Sequence, residues 1–198
     1  MRFPKPLAYI DTETTGLDYN LHEVIEVAVL RVEPDGTQTR FHSLIKPENI
    51  EIAEEKALQV NGYRENPVPW ESAPLMKEVA PKLAAFIKGC ILVGHNIPYD
   101  EGMLTGHLKR VGVDAKIPFR KLDTITLVYE HLFPLGLSSA KLDDVREFLG
   151  WSKWGAHRAM KDVEDTRRLH LLLSRASFLL PLKIRTGRFL EKWTSPLW

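Results

Sequence analysis

Two acids, Asp11 and Glu13, close the apolar run Leu7-Ala8-Tyr9-Ile10 within the segment Asp11-Thr12-Glu13-Thr14-Thr15-Gly16-Leu17. Side chains two apart on a strand share a face, so these carboxylates are brought together where the chain otherwise reads as core. Unpartnered, they repel each other and resist desolvation. A divalent cation removes both penalties. Two further acids stand in comparable places: Asp100 after Gly94-His95-Asn96, and Asp162 after His157. Four carboxylates and one imidazole suit phosphoryl chemistry, in which two Mg²⁺ or Mn²⁺ ions about 3.5 to 4 Å apart clamp an in-line displacement at phosphorus. Such hard cations take oxygen ligands, leaving His157 outside the ligand set. Imidazole titrates near neutrality, so His157 is read as the general base for a metal-bound water. Positions 157 and 162 would lie about 140° apart on one helix. His157 is therefore expected on a loop just ahead of the helix that carries Asp162.

The elements that must position these groups are visible in the spacing of apolar residues. The acidic strand is followed by β-rich runs over 23–33 and 37–46, separated by the turn triplet Pro34-Asp35-Gly36, which predicts a three-stranded meander. A short helical stretch is expected over 52–60, leading into Asn61-Gly62-Tyr63 and a Pro-rich loop. From 73 to 88, Leu75, Met76, Val79, Leu83, Phe86 and Ile87 recur at helical spacing, ending near Gly89. Cys90-Ile91-Leu92-Val93 reads as a short buried strand, closed by Gly94-His95-Asn96. Pro98 opens a helix with Met103, Leu104, Leu108 and Val111 on one side. A brief strand over 121–123 precedes a helix through Val128 and Leu132. Ser139 is read as the cap of a helix that stops at Gly150, and a last helix spans roughly 158–173. Strands first, then strands mixed with helices, indicate an α/β or α+β fold, a central mixed sheet flanked by helices.

At 198 residues with 44% hydrophobic side chains, the chain supports one well-buried core, read as a single catalytic domain. A net charge of +1 excludes the global basic field of a nucleic-acid coat protein. The lone cysteine, Cys90, excludes an internal disulfide and a cysteine-based zinc cluster. No secretory leader and no apolar run long enough to span a membrane are visible, so a cytoplasmic protein with no membrane partner is expected.

Asp11-Thr-Glu13-Thr-Thr-Gly-Leu17, Gly94-His-Asn-Ile-Pro-Tyr99-Asp100 and His157-Arg-Ala-Met-Lys-Asp162 resemble, in order, the three motifs of the DEDDh, or DnaQ-like, 3′-to-5′ exonucleases. The similarity extends over roughly residues 5–175. It implies a ribonuclease H-like fold, and stepwise hydrolysis from a 3′ end that releases nucleoside monophosphates, DNA being favoured and proofreading or repair the setting. It implies two Mg²⁺ or Mn²⁺ ions, with Asp11 bridging both, Glu13 and Asp162 completing the first site and Asp100 helping to hold the second. It further implies that Thr14, Leu17 and Tyr99 contact the terminal nucleotide, and that Asn61 stands in a loop near the substrate. A sister group carries Tyr four residues before the last acid; here that residue is Arg158, so the histidine subtype is the match. The implied substrate is nucleic acid with a single-stranded or frayed 3′ end. An RNA-trimming exoribonuclease and a polymerase-associated accessory or binding subunit are the alternatives.

Several residues admit a plainer reading. Asp100 could serve a helix macrodipole and Asp162 could be a surface acid. Leu17 and Tyr99 could be core residues. His95 and Asn96 are read as holding their loop by hydrogen bonds, and Asp123-Thr124 as a helix cap. The sequence is divided into an exonuclease domain, 1–175, and a tail, 176–198, whose Trp193, Trp198, Lys183 and Arg185 either pack back onto the domain or meet a polymerase, another protein or a nucleic-acid strand.

Overall fold

The computed structural model describes residues 3–153 and 156–174. Three strands, β1 (Leu7–Thr14), β2 (Val24–Val32) and β3 (Gln38–Leu44), form the expected antiparallel meander. Its second turn is built by Gly36, at φ 96°, with the Asp35 carboxylate accepting from the Thr37 amide. The chain then passes through α1 (Glu55–Val60), α2 (Val68–Glu71) and α3 (Met76–Ile87) to β4 (Ile91–Gly94), α4 (Ile97–Arg110), β5 (Lys121–Asp123), α5 (Thr124–His131), α6 (Leu142–Phe148) and α7 (Ala159–Ser174). Among the described residues the five strands make one sheet in the order β3-β2-β1-β4-β5, with β4 parallel to both β1 and β5.

Strand alternation sorts the side chains of β1 between two layers of helices. Ala8 and Ile10 enter a core with α3 and α4, which supply Val79, Leu83, Met103 and Leu104. Leu7 and Tyr9 face the other way, into a core with Ala159 and Val163 of α7. A third cluster joins α5, α6 and α7 through Val128, Val145, Leu149 and Leu169. The central sheet is thus mixed and covered on both sides, the α/β architecture expected.

Local chemistry sets the element boundaries. The stretch expected as one helix over 52–60 divides into a 3₁₀ turn, Ile50–Ile52, and α1, because Ala53 is extended at ψ 146°. Ser139 does not cap α6: its hydroxyl accepts from the Lys141 amide in the preceding turn, and the helix starts at Leu142. Asp123 is a true cap, accepting from Ile125 N of α5, and also takes the amides of Asn96 and Ile97. It thereby pins the start of α4 beside the end of β5. His95 holds the same corner through Thr124 Oγ1 and the Ala140 carbonyl, as expected of a loop residue. No helix among the described residues is long and apolar enough to cross a membrane. The tail, 176–198, and the boundary drawn at 175 lie outside the described residues.

Candidate active site

Strand β1 pairs with β4 only from Leu7 to Tyr9, yet stays paired to β2 as far as Thr14. Its acidic end therefore projects past β4 into a crevice at the carboxyl ends of parallel strands, the usual place for ligands in open α/β sheets. Asp11 and Glu13 share the face of Leu7 and Tyr9, which is the face α7 covers. The first turn of α7 brings Asp162 to them, so that Asp11, Glu13 and Asp162 each offer an oxygen and these atoms all lie within 4.8 Å of one another. Asp100 arrives from the opposite layer, in the first turn of α4. It meets the other face of β1, where its Oδ1 accepts from Thr12 Oγ1 at 2.8 Å, and it is only 3% exposed. The structure thus gathers three of the four acids into one cluster and sets Asp100 beside it.

All four carboxyls are pushed above the ordinary range. For Asp11 burial is the largest cause, followed by Asp100, Asp162 and Glu13; for Glu13 it is burial, then Asp162 and Glu26. Burial raises Asp100 to about 7 against the opposing Thr12 bond. Burial also raises Asp162, outweighing the pull of Arg146. Crowded, desolvated oxygens, of which only those of Asp162 meet a cation by hydrogen bond among the described residues, through Arg146, are the donor set a hard divalent ion fits.

His157 sits on the loop ahead of α7 in a left-handed conformation, φ 60°. Its Nε2 is 3.2 Å from Asp143 Oδ2. Burial raises the Asp143 carboxyl, but Arg146 and His157 outweigh it and hold the group below its usual range. An ionised carboxylate only accepts, so Nε2 is the donor and Nδ1 keeps the lone pair that can take a proton.

Around the mouth of the crevice, Leu17 is 68% exposed and so is not a core residue. Its amide donates to Glu54 Oε1, which fixes the loop that presents it. Thr14 Oγ1 donates to the Gly16 carbonyl and lies 2.7 Å from the Tyr99 hydroxyl, so the two side chains are locked together. Burial pushes the Tyr99 hydroxyl up to about 12, keeping it a neutral hydrogen-bonding group. Asn61, expected near the substrate, is 2% exposed. Its amide nitrogen donates to the Thr14 carbonyl and its oxygen accepts from Tyr63 N, so it braces the end of β1 from within.

An exonuclease family model of the ribonuclease T type matches residues 9–169. The chain belongs to this exonuclease family. The chain is 32% identical over 163 residues to a PolC-type DNA polymerase III of Thermotoga maritima, covering 82% of this chain and 11% of the relative. It is 28% identical over 176 residues to the 3′-5′ exonuclease DinG of Staphylococcus aureus, covering 88% of this chain and 19% of that protein. The chain therefore spans a small part of the curated relatives it matches. Among solved structures, a zinc-bound complex of Escherichia coli Exonuclease I with single-stranded DNA superposes with a TM-score of 0.71 at 18% identity, over 86% of this chain and 41% of that one. That likeness bears on the fold, which is ribonuclease H-like.

Two buried charged residues of this exonuclease domain carry no motif signal. Glu26 lies opposite Glu13 on β2, with Oε1 2.8 Å from His42 Nε2 and Oε2 buried without a partner. Arg146 on α6 is fully buried and meets three acids, Asp143, Asp162 and Asp165. The signal for both was positional: an acid inside the apolar run Val24–Val32, and a base at the i+4 position of the stripe Leu142, Val145, Leu149.

Proposed function

We propose that this chain is a metal-dependent 3′-to-5′ exonuclease that hydrolyses the terminal phosphodiester of DNA and releases nucleoside monophosphates. The observation that carries this reading is the meeting of Asp11, Glu13 and Asp162 within 4.8 Å at the crevice that Leu17, Thr14 and Tyr99 border. Mg²⁺ or Mn²⁺ is the cation proposed, two per site, held by Asp11, Glu13 and Asp162 with Asp100 behind them. When bound, such ions supply charge neutralisation at phosphorus and a water of lowered pKa. The protein's own part is positional. The Asp143 carboxylate accepts a hydrogen bond from Nε2–H of His157, leaving Nδ1 to accept a proton from the attacking water. The exposed Leu17 packs against the terminal base, while Tyr99 and Thr14 form the floor under its sugar.

Single-stranded DNA is the substrate favoured, because Exonuclease I is known bound to it and the PolC-type relative is a DNA polymerase. A polymerase or other protein is the proposed partner of the tail, and the cytoplasm the proposed location. The test is digestion of 5′-labelled DNA and RNA oligomers, single- and double-stranded, with Mg²⁺ or with chelator. Labelled single-stranded DNA should shorten stepwise from its 3′ end, and only with the metal. Release of the label as a mononucleotide at the outset, with no shortened intermediates, or full Mg²⁺-dependent activity in Asp11→Ala, would overturn the reading. Preference for the RNA arm would reassign the substrate.

A further inference from the structure

Arg146 lies nowhere in the three motifs, yet its side chain is completely buried. Each edge of its guanidinium takes a different carboxylate: Nε donates to Asp165 Oδ2 at 2.8 Å, Nη1 to Asp143 Oδ1 at 2.7 Å and Nη2 to Asp162 Oδ1 at 2.6 Å. Only arginine has a planar fork of donors that can do this. If its task were to staple α6 to α7, Asp165 would suffice, and that acid is already held by Lys161 Nζ at 2.5 Å. The other two acids are of a different kind. Asp162 belongs to the carboxylate cluster with Asp11 and Glu13, and Arg146 binds its Oδ1. Asp143 holds His157 through its second oxygen, Oδ2.

Resting on the exonuclease reading above, we infer that Arg146 is the positioning residue of the site, one rigid cation that sets the metal-side carboxylate Asp162 directly and the base His157 through Asp143. The distance between cation and base is then fixed by the geometry of a single guanidinium. Asp143 spans three residues of α6 back from Arg146, so the helix itself completes the frame. His157, half-exposed and in a left-handed turn, has no other described hydrogen-bond partner than Asp143 to fix its ring.

The test uses the full chain and four variants: Asp143→Ala, Arg146→Lys, His157→Ala and the double variant Asp143→Ala/His157→Ala. Thermal melts establish that each is folded. Turnover is measured on single-stranded DNA, and Mn²⁺ affinity separately by electron paramagnetic resonance of the free ion. Outer partners of ligands and bases commonly carry 10- to 100-fold, about the loss expected in kcat for Asp143→Ala with KM unchanged. In the double variant the Asp143 change should cost nothing beyond His157→Ala, because it acts through the imidazole. Arg146→Lys should weaken Mn²⁺ binding as well as lower kcat, and Asp143→Ala should leave Mn²⁺ binding intact. Unchanged kcat in Asp143→Ala, independent losses in the double variant, or wild-type Mn²⁺ affinity in a folded Arg146→Lys each overturn the inference while the exonuclease reading stands. A wild-type chain that digests no substrate overturns both.

Discussion

Carboxyls at positions 11, 13, 100 and 162 carry the strain of this molecule, since burial and mutual repulsion hold all four above the ordinary range. A carboxyl with a raised folded-state pKa binds its proton more tightly in the folded than in the unfolded chain. Stability then falls as pH rises from the unfolded value through the folded one. For Asp100 that window runs from the ordinary 3.8 to about 7, and each unit of such a rise is worth about 1.4 kcal/mol. Burial lowers His95, His107 and His170, whose contribution rises with pH only up to the ordinary 6.5, so in chelator the melting temperature should drop between pH 6.5 and pH 8, and Mg²⁺ or Mn²⁺ should restore it at pH 8. A chelated protein whose melting temperature rises over that range would refute the assignment of these raised values. The same logic separates stability from activity at Asp11. Asp11→Asn should raise the melting temperature in chelator by removing one repelling charge, while digestion of DNA is lost. His157→Ala, by contrast, should leave the melting temperature near wild type, because the ring is half-exposed. Its turnover should fall by roughly 10² to 10⁴.

Helix α4 is notched to receive the loop that presents Leu17. A Cβ on Gly106 would come 2.0 Å from the Tyr19 carbonyl, and one on Gly102 would press on the Tyr19 ring. Arg110 closes the clasp by donating to the carbonyls of Tyr19 and His22, and the Tyr19 ring in turn leans on Tyr99. Gly106→Ala must displace this backbone, at a cost of about 1 to 3 kcal/mol for overpacking. The expected signature is a raised KM for single-stranded DNA with kcat less affected, measured in steady-state digestion; an unchanged KM would detach the loop from substrate binding. At this scale much was legible beforehand. Alternation in β1 placed Asp11 and Glu13 on one face, and the 140° argument put His157 outside α7, where it is. What stayed hidden depends on contacts between elements distant in sequence. The inward turn of Asn61 follows from the Thr14 carbonyl it binds, and Asp100 stands apart because α4 and α7 lie on opposite layers of the sheet. The burial of Arg146 requires acids from both α6 and α7. No local pattern encodes these meetings, although a lone charge on an apolar stripe is a fair pointer to one.

At the scale of the whole molecule, the described residues form three apolar clusters, and Leu173 of α7 is the last of them to enter one. The family match, 9–169, and the clustered acids Asp11, Glu13 and Asp162 fall among these residues. The net charge of +1 supplies no general attraction to a phosphate backbone. On the proposed reading, affinity for nucleic acid then comes from a few local contacts at the crevice and not from a general basic field. Single-strand binding loses about 0.7 logarithmic units of affinity per tenfold rise in salt for each phosphate contact. A shallow salt dependence is therefore expected, and a steep one would locate a basic surface elsewhere in the chain. A chain ending after residue 175 separates the possibilities. If the crevice alone binds substrate, the shortened protein should digest a bare single-stranded oligonucleotide at the full chain's rate and with the same salt slope. If instead kcat/KM falls more than about tenfold, roughly 1.4 kcal/mol of transition-state binding, and the slope flattens together with it, residues 176–198 contribute directly to holding the strand.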